Sequence, residues 1–297
     1  MKLLAVILNE VRDLKKDSAI FNWGMSGIKI TLSALILAAA FIQSAAAQTE
    51  FGFAVWNVDR LYDTIPSPHY NDSDYTPQGR LHWNSARYER KVAQTAAVLD
   101  SMALPVVALC GIENEAVARD IAARCRGEYS CIHRTLNTRD GLEFALLYYA
   151  DMFFVSRVGS GYDHITVEGS IGDEEWAFIL CLQDDEIPAT VRQLRRNNHN
   201  INIVIAGNVH YADLAKSGLR DITEPLSAAG YGNALFRNGW KMTERIAVSD
   251  RVAGDCRIFL HRGMLDAAGA PAATFNGRLY KGGVGRRLPV ISILKTE

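Results

Sequence analysis

The sequence has no excess of charge of either sign. It contains 32 Lys and Arg residues and 33 Asp and Glu residues among 297, which gives a formal net charge of −1. A surface that binds polyanions in general needs a clear basic excess, so this balance argues against a general nucleic-acid-binding protein. With only 8 prolines and 23 glycines, collagen-like and low-complexity sequences are excluded as well.

No apolar stretch is long enough to predict a membrane-spanning helix. The main apolar run, from Ile30 to Ile42, is shorter than the roughly 20 residues that cross the hydrocarbon layer. Lys29 precedes this run and small residues follow it, up to Ala47. A short apolar run with a basic residue before it and small residues after it predicts a secretory signal with cleavage after Ala47.

This prediction divides the chain into a signal peptide, residues 1–47, and one exported domain, residues 48–297. We expect the exported domain to be periplasmic, attached to the outer envelope or secreted. Residues 1–24 are long and mixed in charge for the front of a signal, so Met25 is an alternative start. A membrane anchor is the alternative interpretation of the apolar run.

Cysteine is scarce and is not arranged as a metal site. The five cysteines include no Cys-x-x-Cys pair, so the sequence predicts neither a zinc site nor a disulfide framework. Cys125 and Cys131 are close enough in sequence to pair across a loop in an oxidising compartment. Free, buried thiols are the alternative.

Strand-like and helix-like segments alternate along residues 48–297. A long polar segment from Asp63 to Trp83 is predicted to be a loop, and Asn84 or Ser85 is predicted to cap the helix that follows it. Asn114 is predicted to cap a second helix, and Glu186–Arg196 reads as a third. Strands are predicted at residues 51–56, 106–112, 143–149, 153–158, 176–182, 201–206, 244–248 and 289–294. The alternation predicts a single α/β domain.

Several segments, taken in order, resemble the motifs of one family. Residues 56–63, Trp-Asn-Val-Asp-Arg-Leu-Tyr-Asp, are similar to the opening motif of the endonuclease/exonuclease/phosphatase superfamily, the metal-dependent phosphoesterases related to DNase I. Residues 74–79, with Trp83, Arg87, Tyr88 and Lys91, are similar to a subgroup of secreted proteins of the Bacteroidota type. The other similar segments are residues 109–114, 145–148, 206–208, 239–240, 244–246, 280–284 and 288–290.

The resemblance implies a fold and a chemistry. The implied fold is a four-layer α/β sandwich of the DNase I type, with two facing mixed β-sheets and helices outside. The implied reaction is metal-dependent phosphoester hydrolysis. It needs carboxylates to hold Mg²⁺ or a similar hard cation, an Asp to activate the attacking water, and a His–Asp pair at the phosphate.

The sequence departs from the family pattern at the positions that carry this chemistry. Gly111 stands where the resemblance places a metal-binding Glu, and it supplies no ligand. Asn208 and His210 stand in place of the base Asp and its Asn partner, and an Asn side chain has no basic atom that could take a proton. Glu244 replaces an Asp conservatively, and Asn57 is unchanged.

The closing Ser-Asp-His of the family is Gly285-Arg286-Arg287 in this chain. Two unit charges about 4 Å apart interact by about 4 kcal/mol at an effective dielectric constant of about 20, so a divalent ion beside one Arg would be repelled by roughly twice that. We therefore expect no family-type catalytic residues, no bound metal and no other cofactor.

The expected function is that of a pseudoenzyme of the cell envelope. Asn57, Asn208, His210, Arg286 and Arg287 are predicted to converge in a cationic pocket. Such a pocket suits a small anionic or phosphorylated ligand. A protein of the envelope is the other expected partner, and nucleic acid is not expected. An alternative interpretation of the two arginines is a solvated turn.

Two further alternatives remain at this stage. The chain could be an active phosphodiesterase or nuclease in which Mg²⁺ or Mn²⁺ is held by rearranged ligands, with Glu113, Glu143, Glu244 and His210 as candidates. It could also be a purely structural component of an envelope assembly.

Overall fold

Strands outnumber helices in the computed structural model, which describes residues 49–136, 138–182, 186–209 and 211–297. The strands are β1 (Glu50–Leu61), β2 (Val106–Ile112), β3 (Tyr129–His133), β4 (Glu143–Tyr149), β5 (Phe154–Ser160), β6 (His164–Ile171), β7 (Glu174–Leu182), β8 (Asn202–Asn208), β9 (Arg220–Asp221), β10 (Ala234–Phe236), β11 (Gly239–Lys241), β12 (Arg245–Val248), β13 (Val252–Ile258), β14 (Phe275–Asn276), β15 (Leu279–Tyr280) and β16 (Val290–Thr296). The helices are α1 (Ser85–Met102), α2 (Glu115–Arg124), α3 (Ile187–Asn197), α4 (Tyr211–Ser217) and α5 (Glu224–Ala228). The predicted signal segment, the alternative start at Met25 and His210 lie outside the described residues.

Most of the strands form two six-stranded sheets. The first has the order β13-β16-β1-β2-β4-β3 and the second the order β5-β6-β7-β8-β12-β9. Each sheet is mixed, because β1 and β2 are parallel in the first, β7 and β8 are parallel in the second, and the other neighbours are antiparallel. Two short hairpins, β10–β11 and β14–β15, stand outside both sheets.

Apolar side chains on both faces of the strands explain the layering. Phe53 of β1 and Phe178 of β7 stack between the two sheets, with ring centroids 5.5 Å apart. On the opposite face of the first sheet, Trp56 packs in a core that includes residues of α1 and α2. On the opposite face of the second, Ile179 packs in a core that includes residues of α3. Strands buried on both faces need nearly continuous apolar sequence, which is how these strands read. The predicted four-layer α/β sandwich is confirmed.

The predicted helix starts are confirmed. Asn84 caps α1, since its Oδ1 accepts a hydrogen bond from the Arg87 amide at 3.1 Å. Asn114 caps α2 in the same way, with the Val117 amide 3.0 Å from its Oδ1. The segment before α1 is a long loop, as predicted, and its only helical part is a 3-10 turn at Ser73–Tyr75.

Some elements differ from the prediction. β1 was expected to end at Trp56, but it continues to Leu61. Asn57 and Leu61 pair with β2, and the register shifts between them. Three long strands, β3, β6 and β13, were not predicted. β3 and β13 are sheet edges, and their partly exposed sequences lack continuous apolar character. β6 lies between β5 and β7, and polar residues alternate with apolar ones along its first half. Cys125 and Cys131 are both free thiols, so they are not joined to each other. None of the helices in the described ranges is both long and apolar enough to cross a membrane.

We expect Asn84→Ala to lower the free energy of unfolding by about 1 kcal/mol, because it removes the side-chain acceptor at the first turn of α1. Urea denaturation followed by circular dichroism measures this change. Ser85→Ala is the matched control, since Ser85 is exposed and its side chain makes no hydrogen bond among the described residues. Equal effects of the two substitutions would contradict the capping role.

Candidate functional site

A small cleft lies where β1, β2 and β7 end. Its volume is about 210 Å³. The residues that line it are Asn57, Asp59, Arg60, Cys110, Gly111, Asp140, Leu142, Leu182 and Arg287. The lining therefore combines the ends of three strands with the loop before β4 and the segment before β16, and it contains two residues of each charge.

An irregular turn shapes one wall of the cleft. The pairing of β1 with β2 shifts register between Asn57 and Leu61, and Asp59 and Arg60 adopt φ values of 54° and 61°. This left-handed backbone is unfavourable for residues with a Cβ. The ammonium group of Lys91, fully buried in α1, donates hydrogen bonds to the carbonyl groups of Asp59 and Arg60, the second at 3.3 Å. Burial lowers the pKa of Lys91 to about 8. Lys91 thus stabilises the irregular turn from the side of α1.

Gly111 faces this turn from β2. It has a φ of +77°, and a Cβ there would lie 2.9 Å from Oδ1 of Asn57. The same Asn57 oxygen accepts a hydrogen bond from the Asp59 amide at 3.0 Å. A Glu at position 111 would therefore meet both backbone strain and a steric contact. The Asn57 side chain would have to shift before the ligand that the family resemblance places there could be accommodated.

Glu244 lies beneath the cleft, and both of its carboxylate oxygens accept hydrogen bonds from protein groups. It is 1% exposed. Its Oε1 accepts a hydrogen bond from Nδ2 of Asn57 at 3.2 Å, and its Oε2 accepts hydrogen bonds from Asn233 and Thr243. Nε of Arg287 lies 3.9 Å from Oε1. A buried carboxylate needs such donors and a counter-charge, so both of its oxygens are occupied by protein groups.

Arg286 and Arg287 have different roles, although the sequence predicted the same role for both. Nη2 of Arg286 donates a hydrogen bond to the Phe275 carbonyl at 2.8 Å, and its backbone amide donates to Oδ2 of Asp59 at 3.1 Å. Arg286 is not among the residues that line the cleft. Its side chain holds the β14 region to this segment, so the prediction that Arg286 faces the pocket is replaced by a structural role.

Arg287, in contrast, lines the cleft. Its carbonyl accepts a hydrogen bond from Nε1 of Trp56 at 3.1 Å, which fixes the backbone. Its side chain is 26% exposed, and its guanidinium carbon lies 5.5 Å from the ring centroid of Phe236. The guanidinium donates no hydrogen bond to any described residue, and its Nε is buried without a hydrogen-bond partner. The guanidinium is thus largely buried, forms an ion pair with Glu244 at 3.9 Å through Nε, and has no hydrogen-bond acceptor among the described residues.

The described members of the alternative metal-ligand set, Glu113, Glu143 and Glu244, do not form a metal site. Glu113 accepts hydrogen bonds from the Asp63 amide at 2.6 Å and from the Tyr70 hydroxyl at 2.9 Å, and so holds the long loop. Glu143 accepts a hydrogen bond from the Leu136 amide at 2.6 Å. Over the described ranges, no group of three or more His, Cys, Asp or Glu side chains could hold a metal ion.

The remaining predicted pocket residue lies nearby but outside the cleft lining. Asn208 ends β8, half-buried, opposite Leu182 of β7 in the strand register. His210 falls outside the described residues. Of the five residues predicted to form the pocket, the lining contains Asn57 and Arg287.

Three charged lining residues were missed by the sequence reasoning. Asp59 and Arg60 stand inside the opening motif, and their irregular backbone turns them toward the cleft. Asp140 comes from the loop before β4 and lies 4.0 Å from Arg60. The polar pair Asp59-Arg60 within an otherwise apolar strand was the one available signal.

Comparison with known proteins agrees with this geometry. A model of the Endonuclease/Exonuclease/phosphatase family matches residues 52–180, which include the opening motif and Gly111. A search of curated protein sequences gives no match.

Solved structures extend the likeness to most of the chain. A family protein from Bacteroides thetaiotaomicron has a TM-score of 0.56 at 15% identity and covers 84% of this chain and 96% of its own. The mannosyl-6-phosphatase of the same species gives 0.53 at 14%, covering 82% and 99%. TDP2 from D. rerio, solved with a single-strand DNA product, gives 0.54 at 12%, covering 84% and 100%. Residues 52–180 thus match the endonuclease/exonuclease/phosphatase family, and the chain has the DNase I-like fold of these structures.

We expect Gly111→Ala to destabilise the protein by more than the roughly 1 kcal/mol of left-handed backbone strain, because the new Cβ also presses on Asn57. Gly230→Ala is the matched control, since Gly230 has a φ of +83° with nothing near its Cβ position. Urea denaturation of both variants measures the difference. A cost for Gly111→Ala no larger than that for Gly230→Ala would show that the cleft wall can open.

We expect a pH-dependent contribution to stability from Glu113. Burial is the largest cause that raises its pKa, from 4.5 to about 7, and the nearby Asp63 carboxylate adds to this. A raised folded-state pKa contributes stability that is complete below pH 4.5 and is lost as the pH rises through 7. Glu113→Gln should therefore gain about 1–3 kcal/mol relative to the unmodified protein between pH 5 and pH 8.

Denaturant titrations at several pH values measure this difference. Glu128→Gln is the control, since Glu128 is exposed and makes no ion pair among the described residues. A flat difference between the Glu113→Gln and unmodified proteins across this pH range would contradict the raised pKa.

Proposed function

We propose that this chain is an exported, non-hydrolytic member of the superfamily that binds a small anionic ligand in the cleft. The proposal rests on the environment of the Arg287 side chain. Its guanidinium is largely buried in the cleft wall, and it donates no hydrogen bond to any described residue. Guanidinium groups bind phosphate, sulfate and carboxylate through paired N–H donors, and burial strengthens this attraction.

The residues of the cleft do not fit the divalent cation that hydrolysis in this family needs. Gly111 supplies no oxygen, and both oxygens of Glu244 are engaged by protein donors. Arg287 already places a positive charge 3.9 Å from Glu244. At this distance a second cation would be repelled by several kcal/mol, even at an effective dielectric constant of about 20. The guanidinium thus supplies the counter-charge that a metal would otherwise supply.

The charge of the cleft wall is compatible with an anion despite its two aspartates. Asp140 lies 4.0 Å from Arg60. The Asp59 carboxylate accepts a hydrogen bond from the Arg286 amide at 3.1 Å. Each of these two aspartates therefore has a local partner. Arg287 is paired with Glu244 at 3.9 Å but donates no hydrogen bond to any described residue.

Two observations support a location in the envelope and a phosphorylated ligand. The apolar run at residues 30–42, with its flanking residues, supports export to the envelope. One structurally similar protein is a mannosyl-6-phosphatase from Bacteroides thetaiotaomicron. We therefore propose a phosphorylated sugar as one ligand to test, together with inorganic phosphate and sulfate.

Isothermal titration of the full chain with inorganic phosphate tests the proposal. We expect saturable binding to the unmodified protein and a loss of at least about tenfold in affinity for Arg287→Ala, since a charge-assisted contact is removed. Arg287→Lys keeps the charge without the paired donors and should bind with intermediate affinity. Arg262→Ala, at an exposed arginine outside the cleft, should bind as the unmodified protein does.

Two outcomes would contradict the proposal. If phosphate, sulfate and mannose 6-phosphate all fail to bind, anion binding is excluded and a structural role in an envelope assembly is favoured. Hydrolysis of bis(p-nitrophenyl) phosphate that depends on Mg²⁺ or Mn²⁺ and stops with chelator would show an active enzyme. Thermal unfolding of each variant separates loss of binding from loss of the fold.

A further inference from the structure

A short hairpin with exposed apolar side chains stands beside the cleft. It is formed by β10 and β11, in which Leu235 pairs with Trp240. Phe236, at the end of β10, is 45% exposed, and Leu235 is 41% exposed. Successive side chains of a strand point to opposite faces, and it is Phe236 whose ring lies against Arg287 of the cleft. An exposed aromatic side chain at the edge of a polar cleft is typical of a ligand-binding surface.

The hairpin is attached directly to the segment that carries Arg287. Ala234 of β10 forms an isolated β-bridge with Arg287, and the Leu288 amide donates a hydrogen bond to the Asn233 carbonyl at 2.8 Å. Nδ2 of Asn233 in turn donates to Glu244, the carboxylate beneath the cleft. The position of Phe236 is therefore fixed relative to the candidate anion site.

Arg287 connects the two surfaces. Its guanidinium lies 5.5 Å from the centroid of the Phe236 ring, in the range of a cation–π contact, and the same residue lines the cleft. An anion held by the free N–H donors of Arg287 would thus have an exposed aromatic side chain beside it. A flat apolar group attached to the anion could pack on that side chain.

We propose that the β10–β11 hairpin is the second half of the binding site and selects phosphate monoesters whose organic group has a flat apolar face. The inference rests on the proposed anion binding at Arg287 and adds the class of ligand. Such a face can be an aromatic ring or the C–H face of a hexose. Arg287 holds the phosphate, and Phe236 packs on the organic group.

Isothermal titration with three phosphate monoesters tests this selection. Methyl phosphate offers only the anion, phenyl phosphate adds an aromatic ring, and mannose 6-phosphate adds a hexose. We expect phenyl phosphate, mannose 6-phosphate or both to bind the unmodified protein about tenfold more tightly than methyl phosphate, as one stacking contact allows. Whichever ester gains affinity identifies the organic group as aromatic or hexose.

Phe236→Ala should remove this gain and leave the affinity for methyl phosphate within about twofold. Phe154→Ala is the matched control, because Phe154 is another exposed phenylalanine, 62% exposed, on the edge strand β5. It should keep the full gain.

Three results would overturn the inference while leaving anion binding intact. Equal affinities for all three monoesters would show no selection, and an unchanged gain in Phe236→Ala would place the contact elsewhere. An equal loss for methyl phosphate and the larger esters in Phe236→Ala would show that Phe236 only positions Arg287. If none of the monoesters nor inorganic phosphate binds, the proposed function itself fails.

Discussion

The contact between Arg287 and Glu244 determines what this cleft can do. A buried carboxylate with both oxygens engaged and a guanidinium 3.9 Å away leaves little net negative charge to attract a second cation. The same guanidinium lines the cleft and donates no hydrogen bond to any described residue. The proposal that the cleft takes an anion and not a metal ion rests on this one pair of side chains. The neighbouring turn, in which Lys91 holds the carbonyl groups of Asp59 and Arg60, keeps the opposite wall in place.

The fold was predictable from the sequence because apolar strands and helix caps can each be recognised within a short segment. The strands predicted at residues 106–112 and 143–149 have the same bounds in the structure, because their apolar sequences are largely buried. The caps Asn84 and Asn114 could be identified from the residues next to them. Ordered motifs of a known family then supplied the arrangement of the layers. The edge strands β3 and β13 were missed, because partly exposed strands contain polar residues that resemble loop sequence. The inner strand β6 was missed as well, because its sequence, HITVEGSI, mixes polar residues and a glycine with the apolar ones.

The site was predictable only in part, because side-chain direction is a tertiary property. Arg286 and Arg287 are adjacent and chemically identical, yet one donates to the Phe275 carbonyl and the other lines the cleft. The sequence showed that Gly111 lacks a ligand. It did not show that a left-handed backbone and the oxygen of Asn57 also close the space around that residue. Asp140 comes from a loop about 80 residues after the opening motif, so only the folded chain brings it to Arg60.

The place of the last strand has a consequence for how the molecule is assembled. β16 lies between β13 and β1 in the first sheet, so the N-terminal strand pairs with residues 290–296 at the far end of the chain. Contacts between such distant segments form slowly, since a very long loop must close before they stabilise anything. During synthesis, one side of β1 therefore stays without its neighbour until residues 290–296 have been made. The first sheet is completed only at that point, long after most of its other strands have been synthesised.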